Sequence, residues 1–358
     1  MAVLPQKTRR VKVVTGLKCN IRCVFCYYRD NLSAPNRSFA DIAADLRYAY
    51  RNGVREVDFS GGEPTVHPDL PRLIEEARRL GMEKVSIISN GVRLSDAPYL
   101  ATLRSAGLSE ILFSVHGPDA ATHDEITHCP GSFERLSSGM ANAVEAGVIV
   151  RVNTVVNKIN YRGLEALAKL VAGYRPVQVN FITINDWCFA KNIIDKFMLR
   201  YSEMAPALKN VCDYLEPLVP AVNVRYIPFC FMEGYERFVC DHRQVMYDPY
   251  EWVPRVRARL EEGTGLWRYL GILGYGLTVA GAWKKMLFAS PADVLDEAVV
   301  EGLRTRFYVK GKACRRCRFF NLCDGIEKTY CSEFGLGELV PAPGEKIADV
   351  VHFRGQGA

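Results

Sequence analysis

Cys19, Cys23 and Cys26 stand at the spacing CxxxCxxC in the stretch TGLKCNIRCVFCYYRD, directly behind an apolar run. Four thiolates would close a structural zinc site or saturate a cubane iron-sulfur cluster. Three on a short loop leave one position open, as in a metal site that also binds a substrate or cofactor. A second group near the other end places Cys314, Cys317, Cys323 and Cys331 at CxxCx5Cx7C, which suits zinc or a second cluster. The opening MAVLPQKTRR is polar and unlike a secretory leader, so a cytoplasmic chain is expected. In that compartment twelve clustered cysteines mean metal or redox chemistry more readily than disulfides.

A reactive loop needs a rigid strand end to hold it. The run VKVVTG (Val11 to Gly16) reads as that strand, and SFADIAADLRYAYRNG, opened by Ser38 and Asp41 and closed by Gly53, reads as a helix. The alternation continues to about residue 185 through strands REVDFS, KVSIISNG, EILFSVHG, IVRVNTVVN and VQVNFITIN. Intervening helices are expected in DLPRLIEEARRLG, APYLATLRSAG, FERLSSGMANAVEAG and YRGLEALAKLVAGY, with a loop holding HCPGS before the third of these. Six such units imply parallel strands curled into an open α/β barrel. In parallel sheets the loops after strand C-termini carry the chemistry. The cysteine loop, GGEP, SNG and HG all fall there.

The 358 residues are 49% hydrophobic and 24% charged, which excludes a disordered chain. The net charge of +6 is mild and scattered, and serves anionic substrate groups as well as nucleic acid. The apolar stretch from Leu270 to Trp283 is short and glycine-rich, better suited to a buried helix or cavity wall than to a membrane span.

The pattern Cys19, Cys23, Phe25, Cys26 after a first strand, followed by GGEP after a second, resembles the radical S-adenosylmethionine (SAM) superfamily over roughly residues 10 to 185. The resemblance implies a partial (β/α)6 TIM-type barrel in which the three cysteines hold a [4Fe-4S] cluster whose open iron binds SAM. It further implies that Gly61, Gly62, Glu63 and Pro64 receive the SAM ammonium group and that Phe25 lies near the adenine. Asn90, Ser114 and Asn153 stand where relatives contact the SAM ribose or carboxylate. The implied chemistry is reductive cleavage of SAM to a 5′-deoxyadenosyl radical that takes hydrogen from an unactivated C–H bond.

Downstream of such a barrel, CxxCx5C resembles the SPASM/twitch extension, which carries auxiliary [4Fe-4S] clusters. The fuller pattern has a cysteine where Glu327 stands here, so one auxiliary cluster is expected, held by Cys314, Cys317 and Cys323. The fourth ligand is Cys230 or Cys331. An upstream ligand would tie the irregular middle of the chain to its tail, which favours Cys230, with Cys240 a further candidate. The expected division is a barrel over 8–186, an irregular or helical region over 187–310 that completes the cavity, and the auxiliary-cluster region over 311–358.

Cys188 is a candidate hydrogen-atom donor to a substrate radical, although a small buried hydrophobe is the commoner role for such a cysteine. The same holds for Cys129, while His116 and His123 read as bases, substrate contacts or strand-end hydrogen bonders. Only about ten residues precede the first strand, leaving no room for a winged-helix peptide-recognition domain or a cobalamin domain. A small-molecule substrate, such as a sugar, nucleotide or antibiotic-type precursor, is therefore expected ahead of a ribosomally made peptide. The expected electron donor is a flavodoxin or ferredoxin-type protein, with neither nucleic acid nor a membrane as partner. The competing reading is a non-catalytic zinc-ribbon or nucleic-acid-binding protein.

Overall fold

The computed structural model describes residues 7–26, 28–184, 196–252 and 291–354. Cys188 and the stretch from Leu270 to Trp283 lie outside the described residues. Strands β1 (Arg10–Val14), β2 (Glu56–Ser60), β3 (Lys84–Ser89), β4 (Glu110–Ser114), β5 (Ile149–Val156) and β6 (Gln178–Thr183) occupy the six expected places. A seventh, β7 (Ala221–Arg225), continues the sheet inside the region that the sequence reading left irregular. All pair in parallel in chain order, which gives a curled partial barrel of the TIM type.

The crossover helices are α1 (Phe39–Arg51), α2 (Leu70–Leu80), α3 (Ala97–Ala106), α4 (Ala120–Thr127), α5 (Ser132–Glu145), α6 (Leu164–Ala172) and α7 (Tyr201–Leu215). Ser38 caps α1 by accepting the Asp41 N–H at 3.2 Å, as its position predicts. Helix α4 stands in the stretch expected to be loop. Its short, polar sequence AATHDEIT carries little helical periodicity, and it is set by Asp119, which accepts the Thr122 N–H at 2.8 Å.

Strand alternation divides the sheet into two unlike faces. Val11, Val13, Val57, Phe59, Val85, Ile87, Ile111, Phe113, Val152 and Phe181 join Ile42, Leu46, Leu73, Leu103 and Leu167 of the helices in one apolar core. The alternate positions line the barrel interior with buried polar groups, among them Arg10, Asp58, Glu110, Arg151, Asn180 and Asn223. Arg10 pairs with Glu56, Asp58 and Glu110 at 2.7 to 2.8 Å, and Arg151 reaches Asp58 at 2.6 Å. Residues 246–252 cross this end of the barrel. There Arg151 donates to the Tyr250 carbonyl at 2.5 Å, Thr8 to the Glu251 carbonyl at 2.6 Å, and Arg225 to the Glu251 carboxylate at 2.8 Å.

After α8 (His242–Val245) and α9 (Pro291–Phe307), a short antiparallel pair, β8 (Tyr308–Val309) with β9 (Ile326–Glu327), frames the second cysteine group, and α10 (Lys328–Phe334) follows. This tail packs onto the barrel through Tyr201 and Tyr330, stacked at 4.1 Å, and Phe229 and Phe319, at 5.4 Å. Phe319, Leu322, Ile326 and Tyr330 belong to the same apolar core as the strands.

Candidate active site

The cysteine loop and the GGEP turn are built as one piece. Gly16 and Lys18 offer their carbonyls to the Gly62 and Glu63 N–H groups, each at 2.8 Å. A Cβ on Gly61, whose φ is +128°, would stand 2.1 Å from the Gly16 oxygen, and one on Gly62 would stand 2.2 Å from the Lys18 oxygen. Glycine is demanded here by the crossing of two backbones, with left-handed geometry as a second reason at Gly61. On its other side the loop rests on α4, where the Thr127 and Ile126 carbonyls accept from Arg22 and Val24 at 3.0 and 2.8 Å.

Glu63 is buried and spends its carboxylate inside the protein. It accepts from the Thr65 N–H (3.0 Å), the Thr65 hydroxyl (2.7 Å), the Ser89 hydroxyl (2.9 Å) and the Asn90 N–H (2.7 Å). Burial pushes its pKa up while these bonds pull it back. The side chain thus locks β2 to β3. Pro64 is buried and opens the short helical turn that follows. Asn90 turns its Oδ1 to the Val92 N–H at 3.0 Å, donates to Asn20 at 2.7 Å, and brings Nδ2 to 3.8 Å from Cys19 Sγ.

Burial, and then the Glu63 carboxylate, push the Cys19 thiol up to about 12. Cys23 is raised further by burial and by its neighbours Cys26 and Cys19, and burial also raises Cys26. These thiols stay protonated until a cation takes up their charge, which is the chemistry of a thiolate metal site. Among the described residues no three histidine, cysteine or carboxylate side chains converge as the ligands of a single ion would. A cubane takes one thiolate per iron and needs no such convergence.

Across the loop, the Phe25 ring meets His116 edge-on at 4.8 Å. The His116 Nδ1 accepts the Val155 N–H at 3.3 Å and His123 Nδ1 accepts the His116 N–H at 3.2 Å, so both imidazoles are neutral hydrogen bonders, His116 just past the end of β4 and His123 on α4. Burial holds both pKa values down, His123 to about 4. Cys129 is half-buried beside Cys23, with the Arg135 guanidinium 3.3 Å from its sulfur. Ser114, the last residue of β4, is the register partner of Asn153 within β5. That row continues through Asn180 of β6 and Asn223 of β7, which sequence reading passed over. The signal was present, since each asparagine alternates with core valines and phenylalanine in VQVNF and AVNVR.

Cys230, Cys314, Cys317 and Cys323 line one small cavity, walled also by Phe229, Phe319 and Phe320. Cys331 lies on α10, and Cys240 is buried against β7, where its N–H donates to the Val224 carbonyl at 2.9 Å; neither lines the cavity. Burial and then Cys317 and Cys314 push the Cys230 thiol up to about 11. The Gly325 N–H already points at the Cys323 sulfur, at 3.3 Å. Glu327, at the position where a further cysteine was sought, caps α10 by accepting the Thr329 and Tyr330 N–H groups at 2.9 and 3.1 Å.

The Radical SAM superfamily profile matches residues 13–171, which take in the cysteine loop, the GGEP turn and strands through β5. Residues 13–171 belong to the radical SAM superfamily. Relatives of this chain include a probable GTP 3′,8-cyclase of Methanopyrus kandleri, 31% identical over 183 residues, which are 50% of this chain and 58% of the relative. Another of that name, from Saccharolobus solfataricus, is 34% identical over 147 residues, 40% of this chain and 46% of the relative. The chain thus spans about half the length of these curated relatives. Among solved structures, Streptococcus suis SuiB aligns at a TM-score of 0.49 and 20% identity, covering 59% of this chain and 47% of SuiB. Methylornithine synthase (PylB) aligns at 0.49 and 12%, covering 70% and 75%. Among the described residues no helix is long and apolar enough to cross a membrane.

Proposed function

We propose that this chain is a radical SAM enzyme acting on a small molecule of nucleotide type, with one auxiliary [4Fe-4S] cluster. Cys19, Cys23 and Cys26 would hold the SAM cluster, with Gly61, Gly62, Glu63, Pro64, Phe25, Asn90, Ser114 and Asn153 around SAM. Bound there, cluster and SAM would supply a 5′-deoxyadenosyl radical for hydrogen abstraction. The observation that carries the reading is the fused cysteine loop and GGEP turn, since it sets three thiols, each raised chiefly by burial, at the C-terminal mouth of a barrel lined with polar groups.

Cys230, Cys314, Cys317 and Cys323 would hold the auxiliary cluster, supported by their shared cavity and by the position of Cys331 outside it. In this reading residues 8–186 carry the SAM chemistry, 187–310 complete the cavity and 311–358 serve the auxiliary cluster, with electrons from a flavodoxin or ferredoxin-type donor. The nucleotide class is supported by the names of the cyclase relatives and by the hydrogen-bonding barrel lining. A ribosomally made peptide is the second substrate reading.

The test is anaerobic reconstitution followed by iron analysis and turnover with reductant, SAM and a panel of nucleoside triphosphates and peptides. About eight irons per chain are expected, falling to about four in Cys230→Ser and unchanged in Cys331→Ser. 5′-Deoxyadenosine should form, with deuterium arriving from a labelled nucleotide. A colourless zinc protein would sink the enzyme reading, and deuterium arriving only from peptides would replace the substrate.

A further inference from the structure

We propose that Asn180 and Asn223, anchored on Arg354, are positioning residues that force Asn153 to present its amide N–H₂ to an acceptor oxygen of SAM. The proposal rests on the reading above, in which Asn153 touches SAM. Its ground is a chain of side-chain amides that runs across three strands in one direction. Arg354 Nη2 donates to Asn223 Oδ1 at 2.7 Å, Asn223 Nδ2 to Asn180 Oδ1 at 3.0 Å, and Asn180 Nδ2 to Asn153 Oδ1 at 2.7 Å.

The direction is forced at each link. A guanidinium only donates, so Asn223 must turn its oxygen towards Arg354. Its nitrogen then also serves the Asp248 carboxylate at 2.8 Å, and Arg354 Nη1 closes the same carboxylate at 2.8 Å. Asn180 is fixed a second time by the Glu251 carboxylate, which takes its Nδ2 at 2.8 Å and is itself held by Arg225. Asn153 receives a donor on its oxygen and is left with its nitrogen outward.

Asn180 and Asn223 are buried, whereas Asn153, within β5, and its register partner Ser114, the last residue of β4, are half-buried. No described residue takes the Asn153 Nδ2 hydrogens. Hydrogen bonds in series polarise one another, so the terminal N–H₂ is a better donor than an isolated amide. An asparagine free to flip would offer oxygen as readily as nitrogen. The relay removes that choice and selects a ligand oxygen that accepts.

The test is the SAM dissociation constant of the reconstituted protein, measured by equilibrium dialysis, together with the change SAM makes in the EPR spectrum of the reduced cluster. Asn153→Ala should weaken SAM about tenfold, and Asn180→Leu, which touches no ligand, by about as much. In the double variant the loss should not exceed that of Asn153→Ala alone, with iron content unchanged throughout. If Asn180→Leu loses iron, Asn180→Asp, assayed at about pH 8, replaces it; this variant keeps the shape but, once ionised, cannot donate to Asn153, and the same outcome is expected. Additive losses, or an unchanged constant in the Asn180 variants, would overturn the relay while leaving SAM binding intact. Wild-type protein that holds iron but binds no SAM would instead overturn the reading on which it rests.

Discussion

Gly62 has no room for a methyl group. The nearest neighbours of its missing Cβ are the Lys18 and Leu17 oxygens at 2.2 and 2.3 Å, and these are backbone atoms that cannot swing aside. Gly62→Ala must therefore lift the cysteine loop off the turn and break the 2.8 Å bonds that join them. The expected cost is about 2–3 kcal/mol of stability, together with loss of most iron at the first cluster and retention of the second. Iron per chain and a urea titration check this. Wild-type iron content would show that the two loops are less tightly joined than their hydrogen bonds indicate. At the same scale Glu63, which stands in the turn expected to receive an ammonium group, also ties two strands together through its carboxylate.

At the scale of elements, the ion network inside the barrel fastens β1, β2, β4 and β5. Burial alone would raise the Asp58 carboxyl, but Arg151 and Arg10 outweigh it and hold it below its ordinary value of 3.8. A depressed folded-state pKa means that stability is present above the ordinary value and lost as pH falls through the folded one. Asp58→Asn should cost about 3–5 kcal/mol near neutral pH, because Arg151 loses its closest buried partner. The gap between variant and wild type should narrow below pH about 4. Urea unfolding across pH measures it, and a gap that widens in acid would contradict the assignment.

Elements β1 to β6 were legible because the face packed on the helices is a regular series of valine, isoleucine and phenylalanine. The seventh strand was not. AVNVR is short, its inward residues are Asn223 and Arg225, and what holds it is a set of bonds to residues 246–252 and 354 that no local period announces. The two cysteine groups were readable from spacing alone. The sequence favoured Cys230 over Cys331 as a fourth member of the second group, and the path of the chain after β7 sets Cys230 in one cavity with Cys314, Cys317 and Cys323.

At the scale of the whole molecule, barrel and tail share one core. Phe319 is 1% exposed and packs on Phe229 of the barrel side and Phe353 of the tail, at 5.4 and 6.0 Å. Phe319→Ala should cost about 3–5 kcal/mol and lower a single thermal transition of the reconstituted protein. Two transitions in calorimetry, with the barrel's unchanged, would mean that the tail folds as a separate unit.

Arg354 gives that unity a history. The cysteine loop and strands through β5 are complete once residue 156 has been made, yet the residue at the head of the asparagine relay is made about 200 residues later. At cellular rates of synthesis that interval is about 10–40 s. During it the nascent barrel could already collect its metal ligands while the Asn153 amide remains undirected. A growing chain would thus be able to load iron well before its cofactor pocket acquires its final polarity.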